Sequence, residues 1–334
     1  MIKNKCNKII TVAILLVMMA TLFSINVFAG GSVSNVNNED SEDSNGKTYL
    51  TICDYINYKF HKDAGRLIIG KDVDSFKVDY LKNDSIDKDK IKIVIIKRDA
   101  NKINVGAFKG CKNLERVIIE NGATEIGCEA FADCTNLKEV KIPSSVTSLS
   151  DAFDGCTNLV SIDVDAENPE YKSIDGVLFS KDGTKLLKYP HGKEETNYII
   201  PDNVAEICDT VFMGCTNLKE IKIPSSVMKI GENAFEDCKN LERVVIENGV
   251  KVIDNYAFLN CISLKEMKIP SSVTFIGDMA FLNCENLERI IIENSATEIN
   301  SAAFSACIKL KEICVPSDYE GDSLCEIKVK KVGI

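Results

Sequence analysis

The 334-residue chain has 40 lysines and arginines against 50 aspartates and glutamates, a net charge of −10. Because a phosphate backbone requires a basic stripe, this balance argues against a nucleic-acid partner and against anionic membrane surfaces. Two histidines are present, and we find no zinc-spaced Cys/His cluster, G-x-S-x-G, H-E-x-x-H or phosphate loop. We therefore expect no enzyme, no metal site and no cofactor.

Residues 1–29 have the pattern of a signal peptide. Three lysines precede an apolar run over 9–23, and Ala29 ends a small-x-small cleavage signal. The alternative is a retained membrane anchor, although the run is short for a span and no positive charge follows it. Cleavage predicts a secreted or cell-surface protein without an integral membrane domain. Residues 30–48 are acidic and poor in apolar side chains, which predicts a disordered linker.

Residues 49–85 are predicted to form an N-terminal cap. Within them, the apolar residues of 58–70 flank a glycine, a pattern typical of a β-hairpin. Such a hairpin would cover the exposed apolar end of whatever array follows it.

A repeat then occupies residues 86–316. Phe is followed three residues later by Cys, and Cys three residues later by Leu, in steps of 23 residues apart from one 22-residue step and one long gap. The Phe/Cys pairs are Phe108/Cys111, Phe131/Cys134, Phe153/Cys156, Phe212/Cys215, Phe235/Cys238, Phe258/Cys261, Phe281/Cys284 and Phe304/Cys307. A fixed period of this length predicts stacked units that each contact only their neighbours.

Each repeat has two apolar segments. In one of them, apolar and charged residues alternate over 137–142 and predict a short strand, which Pro143 ends. A second apolar pair, Val146 and Leu149, precedes an expected helical turn that carries Phe153 inward. The predicted fold is a repeat solenoid of about ten coils, with a parallel sheet on one face and short helical turns on the other.

The pattern L-x-x-I-x-I-P followed by V-x-x-I-G-x-x-A-F-x-x-C resembles the BspA-type leucine-rich repeat. Residues 230–241 carry nearly all of the motif, and the resemblance covers roughly residues 86–316. It implies a secreted or surface-exposed protein of a bacterium or parasitic protist, with a role in adhesion to host proteins and other cells.

The coil that starts at Leu159 spans 36 residues instead of 23. Inside it, Asp182-Gly183 lies between two apolar runs and predicts a hairpin near 171–190, and this pattern also resembles an interruption seen within BspA-type arrays. The hairpin is either a protrusion that makes selective contacts or a structural insertion that covers adjacent coils. On the first interpretation the candidate ligand contacts are Phe179, Lys181, Asp182 and Lys185.

Three columns of exposed side chains run along the predicted strands. In two of them the charges alternate in sign, which predicts self-neutralising rows. The third combines apolar residues with lysines and is a candidate protein-binding strip, with ordinary β-propensity as the alternative explanation. Its candidate contacts are Ile118, Lys141, Lys222, Val245, Lys268 and Ile291.

Of the 14 cysteines, eight occupy the repeated position. Parallel, in-register side chains have a poor torsion for an S–S bond, so we expect buried thiols there despite an extracellular location. Cys314 and Cys325 are off this ladder and are a candidate bridge near the C-terminal cap, residues 317–334.

These features predict a protein that binds an extracellular protein or glycan, most simply an adhesin of the cell surface. The alternative is an envelope or extracellular-matrix component that self-associates. A hydrolase or protease inhibitor acting through the hairpin has no positive sequence support.

Overall fold

The computed structural model describes residues 40–42, 48–51, 58–61, 65–69, 87–325 and 327–333. The predicted signal peptide and most of the predicted linker lie outside them. In chain order the strands are Asp40–Glu42 (β1), Thr48–Thr51 (β2), Tyr58–His61 (β3), Arg66–Ile69 (β4), Ile93–Ile96 (β5), Lys102–Ile103 (β6), Arg116–Ile119 (β7), Glu125–Ile126 (β8), Glu139–Ile142 (β9), Ser148–Leu149 (β10), Ser161–Val164 (β11), Tyr171–Ile174 (β12), Val177–Ser180 (β13), Lys185–Lys188 (β14), Asn197–Ile199 (β15), Glu206–Ile207 (β16), Glu220–Ile223 (β17), Lys229–Ile230 (β18), Arg243–Ile246 (β19), Val252–Ile253 (β20), Glu266–Ile269 (β21), Phe275–Ile276 (β22), Arg289–Ile292 (β23), Glu298–Ile299 (β24), Glu312–Pro316 (β25), Ser323–Leu324 (β26) and Ile327–Val332 (β27).

The chain divides into two compact units, residues 1–52 and 53–334. In the first unit, β1 pairs antiparallel with β2, so that Asp40 lies opposite Leu50. The prediction of a disordered linker over 30–48 is therefore wrong at β1. Backbone pairing of this kind uses N–H and C=O groups that every side chain leaves available, so an acidic composition does not exclude it.

In the second unit, the longer strands form the predicted parallel sheet. Within the repeat, paired residues are 23 positions apart, as Ile93 with Arg116 and Glu220 with Arg243, with the 22-residue step between β9 and β11. The strand orders are β3-β4-β5-β7-β9-β11, β15-β17-β19 and β21-β23-β25-β27-β26. Alternate residues point into the core, as in β9, where Val140 and Ile142 are buried and Glu139 and Lys141 are exposed.

A second sheet is built from two-residue strands and was not predicted as a sheet. Ile103 pairs with Ile126, Ile230 with Ile253, and so on along the second apolar column. The orders are β10-β8-β6 and β12-β13-β14-β16-β18-β20-β22-β24. The sequence shows this column clearly, but a run of two residues is too short for alternation to identify a strand.

The predicted helical turns are single hydrogen-bonded turns. In one coil, the Cys111 N–H donates to the Phe108 carbonyl and the Leu114 N–H to the Cys111 carbonyl. Left-handed residues interrupt these turns, at two positions in most coils, here Gly106 and Gly110 with φ of 63° and 73°. Since an α-helix needs consecutive φ values near −60°, the turns cannot extend, and the described residues contain only one 3₁₀ turn, Lys88–Lys90.

The Phe and Cys ladders are present as predicted. Successive rings stack with centroid separations of 4.8–5.1 Å from Phe212 through Phe235 and Phe258 to Phe281. The ladder thiols are buried and form no disulfide. Six of the eight donate to the carbonyl of the Phe one coil earlier, as Cys238 does to Phe212 at 3.1 Å, and Cys215 donates to the Tyr189 carbonyl.

The insertion does not protrude. The predicted β13–β14 hairpin exists, but Val177, Phe179 and Leu186 are completely buried. Strand β14 also pairs in parallel with β16, and the Tyr189 ring packs 5.1 Å from Phe212. Tyr189 thus takes the ladder position of the missing Phe, so the interpretation of the insertion as a protrusion is wrong, and the segment is one distorted coil with extra strands.

Both ends of the repeat array carry additional strands. The predicted N-terminal hairpin is observed as antiparallel β3–β4 with Gly65 at its turn, and β4 pairs in parallel with β5. At the other end, β27 pairs in parallel with β25, placing Val329 beside Ile313. Among the described residues, no helix is long and apolar enough to cross a membrane.

Candidate binding surface

The candidate track lies along the outward face of the longer strands. Backbone pairing places Lys222 beside Val245 and Lys268 beside Ile291. Ile118, Val245 and Ile291 are half-buried, whereas Lys141, Lys222 and Lys268 are exposed. The predicted alternation of apolar and lysine side chains is therefore present on the surface within each of these sheets.

The track lysines are already paired with carboxylates. Lys222 Nζ lies 2.7 Å from Glu247 Oε1, and Lys268 Nζ lies 2.8 Å from Glu293 Oε1. The hydrogen bond raises the pKa of Lys222 and lowers the pKa of Glu247. Because the charges of these lysines are compensated, the track is less basic than the sequence indicates.

Ile199 belongs to the track and was missed. It pairs with Lys222, from which it is separated by 23 residues, and 70% of it is exposed. Strand β15, which carries it, is the edge strand of its sheet. The 23-residue spacing was the signal that could have identified it.

The hairpin candidates lie elsewhere, in the sheet of short strands. Phe179 is completely buried, so its assignment as a ligand contact is wrong: the aromatic ring fills the core of the inserted coil. Lys181 Nζ donates to the Ala166 carbonyl at 2.9 Å, and Lys185 pairs with Glu206 at 2.9 Å. Asp182 accepts from Ser180 Oγ at 2.6 Å, which lowers the pKa of its carboxyl to about 2.

These three exposed side chains hold the hairpin turn and its edge. The structure does not bring them together with the track, because the two groups occupy different sheets.

One of the two self-neutralising rows is confirmed. Arg243 Nη1 lies 2.8 Å from Glu220 Oε1, and Arg289 lies 3.8 Å from Glu266 and 3.0 Å from Glu312. Arg116 is paired in register with Glu139. These exposed pairs satisfy one another across neighbouring coils, which leaves little unbalanced charge for an ionic ligand.

A buried polar cluster lies where the inserted coil joins the array. Lys188 Nζ lies 2.5 Å from Asp154 Oδ1 and 3.3 Å from the Thr210 carbonyl. His191 is buried, and its Nε2, like the Tyr189 hydroxyl, has no hydrogen-bond partner in the described part of the chain. Burial, assisted by Lys188, lowers the pKa of His191 to about 3.

Cys156 and His191 are the residue types that form a catalytic nucleophile pair. Cys156 Sγ donates to the Phe131 carbonyl at 3.1 Å, and burial raises the pKa of the thiol to about 12. The site thus holds a neutral thiol and a neutral imidazole, the reverse of the ion pair that activates a catalytic cysteine.

The family is shown by residues 80–195 and 189–311, which match the BspA type leucine rich repeat region in six copies. The chain belongs to the BspA-type leucine-rich-repeat family. This is a class of repeat proteins that present binding surfaces and are typically not enzymes.

Three solved structures are similar to it. A leucine rich cell surface protein from Faecalibacterium prausnitzii is 34% identical, with a TM-score of 0.61, over 67% of this chain and 60% of that chain. A leucine-rich repeat protein from Eubacterium ventriosum is 23% identical, with a TM-score of 0.54, over 78% of this chain and 83% of that one. The pneumococcal vaccine antigen PcpA is 20% identical, with a TM-score of 0.56, over 88% and 99%.

The last two resemblances concern the fold alone. The chain spans about three-fifths of the Faecalibacterium protein. No curated protein matches the sequence.

Proposed function

We propose that this protein is exposed on the cell surface or secreted, and that it binds an extracellular protein through the track of the longer strands. The observation that carries the proposal is Ile199, a large apolar side chain that is 70% exposed on the edge strand β15. An exposed apolar residue in line with others is typical of an interface core.

The charge distribution on the track favours a protein partner over a polyanionic one. The lysines of the track are compensated by Glu247 and Glu293, so a sulfated glycan or a phosphate polymer would find few uncompensated cations there. An apolar strip bordered by neutralised ion pairs suits a partner surface of mixed polarity. Adhesion to a host, matrix or neighbouring cell is the role that this arrangement and the family membership support best.

The test is binding of the purified protein to immobilised matrix proteins, plasma proteins and glycans, with light scattering on the same sample. We expect saturable binding to a protein that Ile199→Gln weakens by roughly tenfold, the loss typical of an interface anchor. The matched control is Met228→Gln, because Met228 is 57% exposed but lies off the track.

Equal losses for both variants would contradict the assignment of the track. Binding to nothing, with oligomers that grow with concentration, would favour the self-associating envelope component instead.

A further inference from the structure

The thiol ladder ends beside a cavity. Cys284 donates to the Phe258 carbonyl at 3.2 Å, and Cys307 donates to the Phe281 carbonyl at 3.1 Å. Cys307 belongs to the last coil of the repeat, and next to it opens a cavity of about 720 Å³. The cavity is lined by Ser301, Phe304, Ser305, Ala306, Cys307, Ile308 and Cys325.

A second thiol reaches this cavity from the C-terminal segment. Cys325 follows β26 and is half-exposed, and its Sγ lies 3.7 Å from the Asn300 carbonyl. Burial raises the pKa of Cys325, the Phe304 backbone N–H opposes this rise, and the nearby Cys307 adds to it. Two cysteines from separate elements therefore face one solvent-accessible space.

Cys307 differs from the other ladder thiols. Burial raises the pKa of Cys215 to about 12 and that of Cys238 well above its usual range. By contrast, the neighbouring Cys284 thiol lowers the pKa of Cys307. Cys307 is the less buried member of this pair, and it borders the cavity.

We propose that Cys307 and Cys325 form a thiol–disulfide exchange site that accepts small, uncharged disulfides. The Cys307 thiolate attacks one sulfur of the disulfide, forming a mixed disulfide and releasing the first thiolate, which takes up a proton. The Cys325 thiol then loses its proton and attacks Cys307 Sγ, which releases the second thiol. In sum, two protein thiols are oxidised to one disulfide, and one small disulfide is reduced to two thiols.

The surroundings explain why the chemistry is confined to this end. Elsewhere in the ladder, each sulfur is enclosed between coils, as Cys261 is against Phe235. At the last coil, Ile308, the residue that follows Cys307, is 76% exposed, and both residues line the cavity. A small disulfide can therefore approach Cys307 without separating two coils.

The experiment treats the purified, reduced protein with bis(2-hydroxyethyl) disulfide and follows the thiols by mass spectrometry and peptide mapping. We expect the loss of two thiols per chain and a peptide that links Cys307 to Cys325. Cys325→Ser should accumulate a single adduct on Cys307, whereas Cys307→Ser should slow modification at Cys325 at least roughly tenfold.

Two further variants separate reactivity from structure. Cys284→Ala should shift the pH midpoint for alkylation of Cys307 upward, because it removes the neighbouring thiol that lowers the pKa of Cys307. Cys208→Ser, which alters a half-buried cysteine off the ladder, should change nothing.

Absence of reaction would overturn the proposal. So would an adduct on Cys307 that never links to Cys325, or equal modification of Cys208 in a chain whose circular dichroism shows it to be folded.

Discussion

Asn168 shows how one side chain holds the irregular coil in place. It is completely buried, and its amide donates to the carbonyls of Pro143 and Val146 at 2.8 Å each. Its own carbonyl accepts from the backbone of Glu170 and Tyr171 at 2.9 and 2.8 Å. Four hydrogen bonds at one amide join the preceding coil to the start of β12, a role that the sequence does not indicate.

Replacing Asn168 with Ala should destabilise the protein by about 2–5 kcal/mol, because buried backbone groups lose their partners. Urea unfolding followed by circular dichroism measures the change. Asn136→Ala is the control, since Asn136 is exposed and its side-chain amide donates at 3.4 Å to Asn113, another exposed side chain. Similar free energies for the two variants would contradict the role assigned to Asn168.

His191 predicts a pH dependence of stability. Its pKa is lowered from 6.5 to about 3 by burial, so the unfolded chain binds a proton between these values that the folded chain does not. The stabilisation is present above pH 6.5 and is lost as the pH falls towards 3, at up to ~1.4 kcal/mol per pH unit.

His191→Phe should flatten the fall of the unfolding free energy between pH 6.5 and 3. The difference between variant and wild type isolates this residue from other groups, such as Asp151, whose pKa burial raises. Parallel pH profiles for the two proteins would show that His191 is accessible in the folded state.

At the scale of elements, the insertion replaces a regular turn with a three-stranded piece of sheet. Strand β12 pairs with β13, β13 with β14, and β14 returns to the parallel register with Lys185 beside Glu206. The shift of register between Leu178 and Phe179 lets this happen within one coil. The sheet of short strands is thereby continuous from β12 through β14 to β16. In the sheet of longer strands, β15 is an edge strand.

Deleting residues 171–189 should abolish the cooperative thermal transition. The deletion removes β14, which pairs with β16, and Tyr189, which packs on Phe212. Lys181→Ala, an exposed substitution in the same segment, should leave the transition within a few degrees of wild type. A cooperative melt of the deletion variant would mean that the segment does not contribute to the core.

For the second unit as a whole, stability is a sum over neighbouring coils. Rings and short strands each contact the equivalent group one coil away, as in Phe235–Phe258 at 4.9 Å. The loss of unfolding free energy on truncating a core side chain should therefore depend on its position within the stack as much as on its residue type.

Phe258→Ala should cost about 3–5 kcal/mol, because the ring stacks on both Phe235 and Phe281. Phe304→Ala should cost less, since Phe304 belongs to the last coil and stacks on Phe281 at 5.4 Å. Chemical denaturation of both variants measures the contrast. Equal losses would mean that the two ends of the ladder are packed alike.

The sequence by itself determined the stacking, the buried Phe and Cys ladders, the longer parallel strands and the alternating ion pairs such as Glu220–Arg243. It could do so because a 23-residue period brings equivalent positions on adjacent coils together, so a pattern along the chain becomes a contact in space. The first hairpin and the Lys181-Asp182-Gly183 turn were equally predictable, because turn chemistry is local.

Only the tertiary structure decided what the period does not encode. The two-residue strands form a sheet only because they pair with strands of the neighbouring coils. The burial of Phe179 depends on the path by which the insertion returns to the core. The meeting of Cys307 with Cys325 depends on how the last segment folds against the final coil. The last two features involve non-equivalent residues, so no spacing in the sequence predicts them.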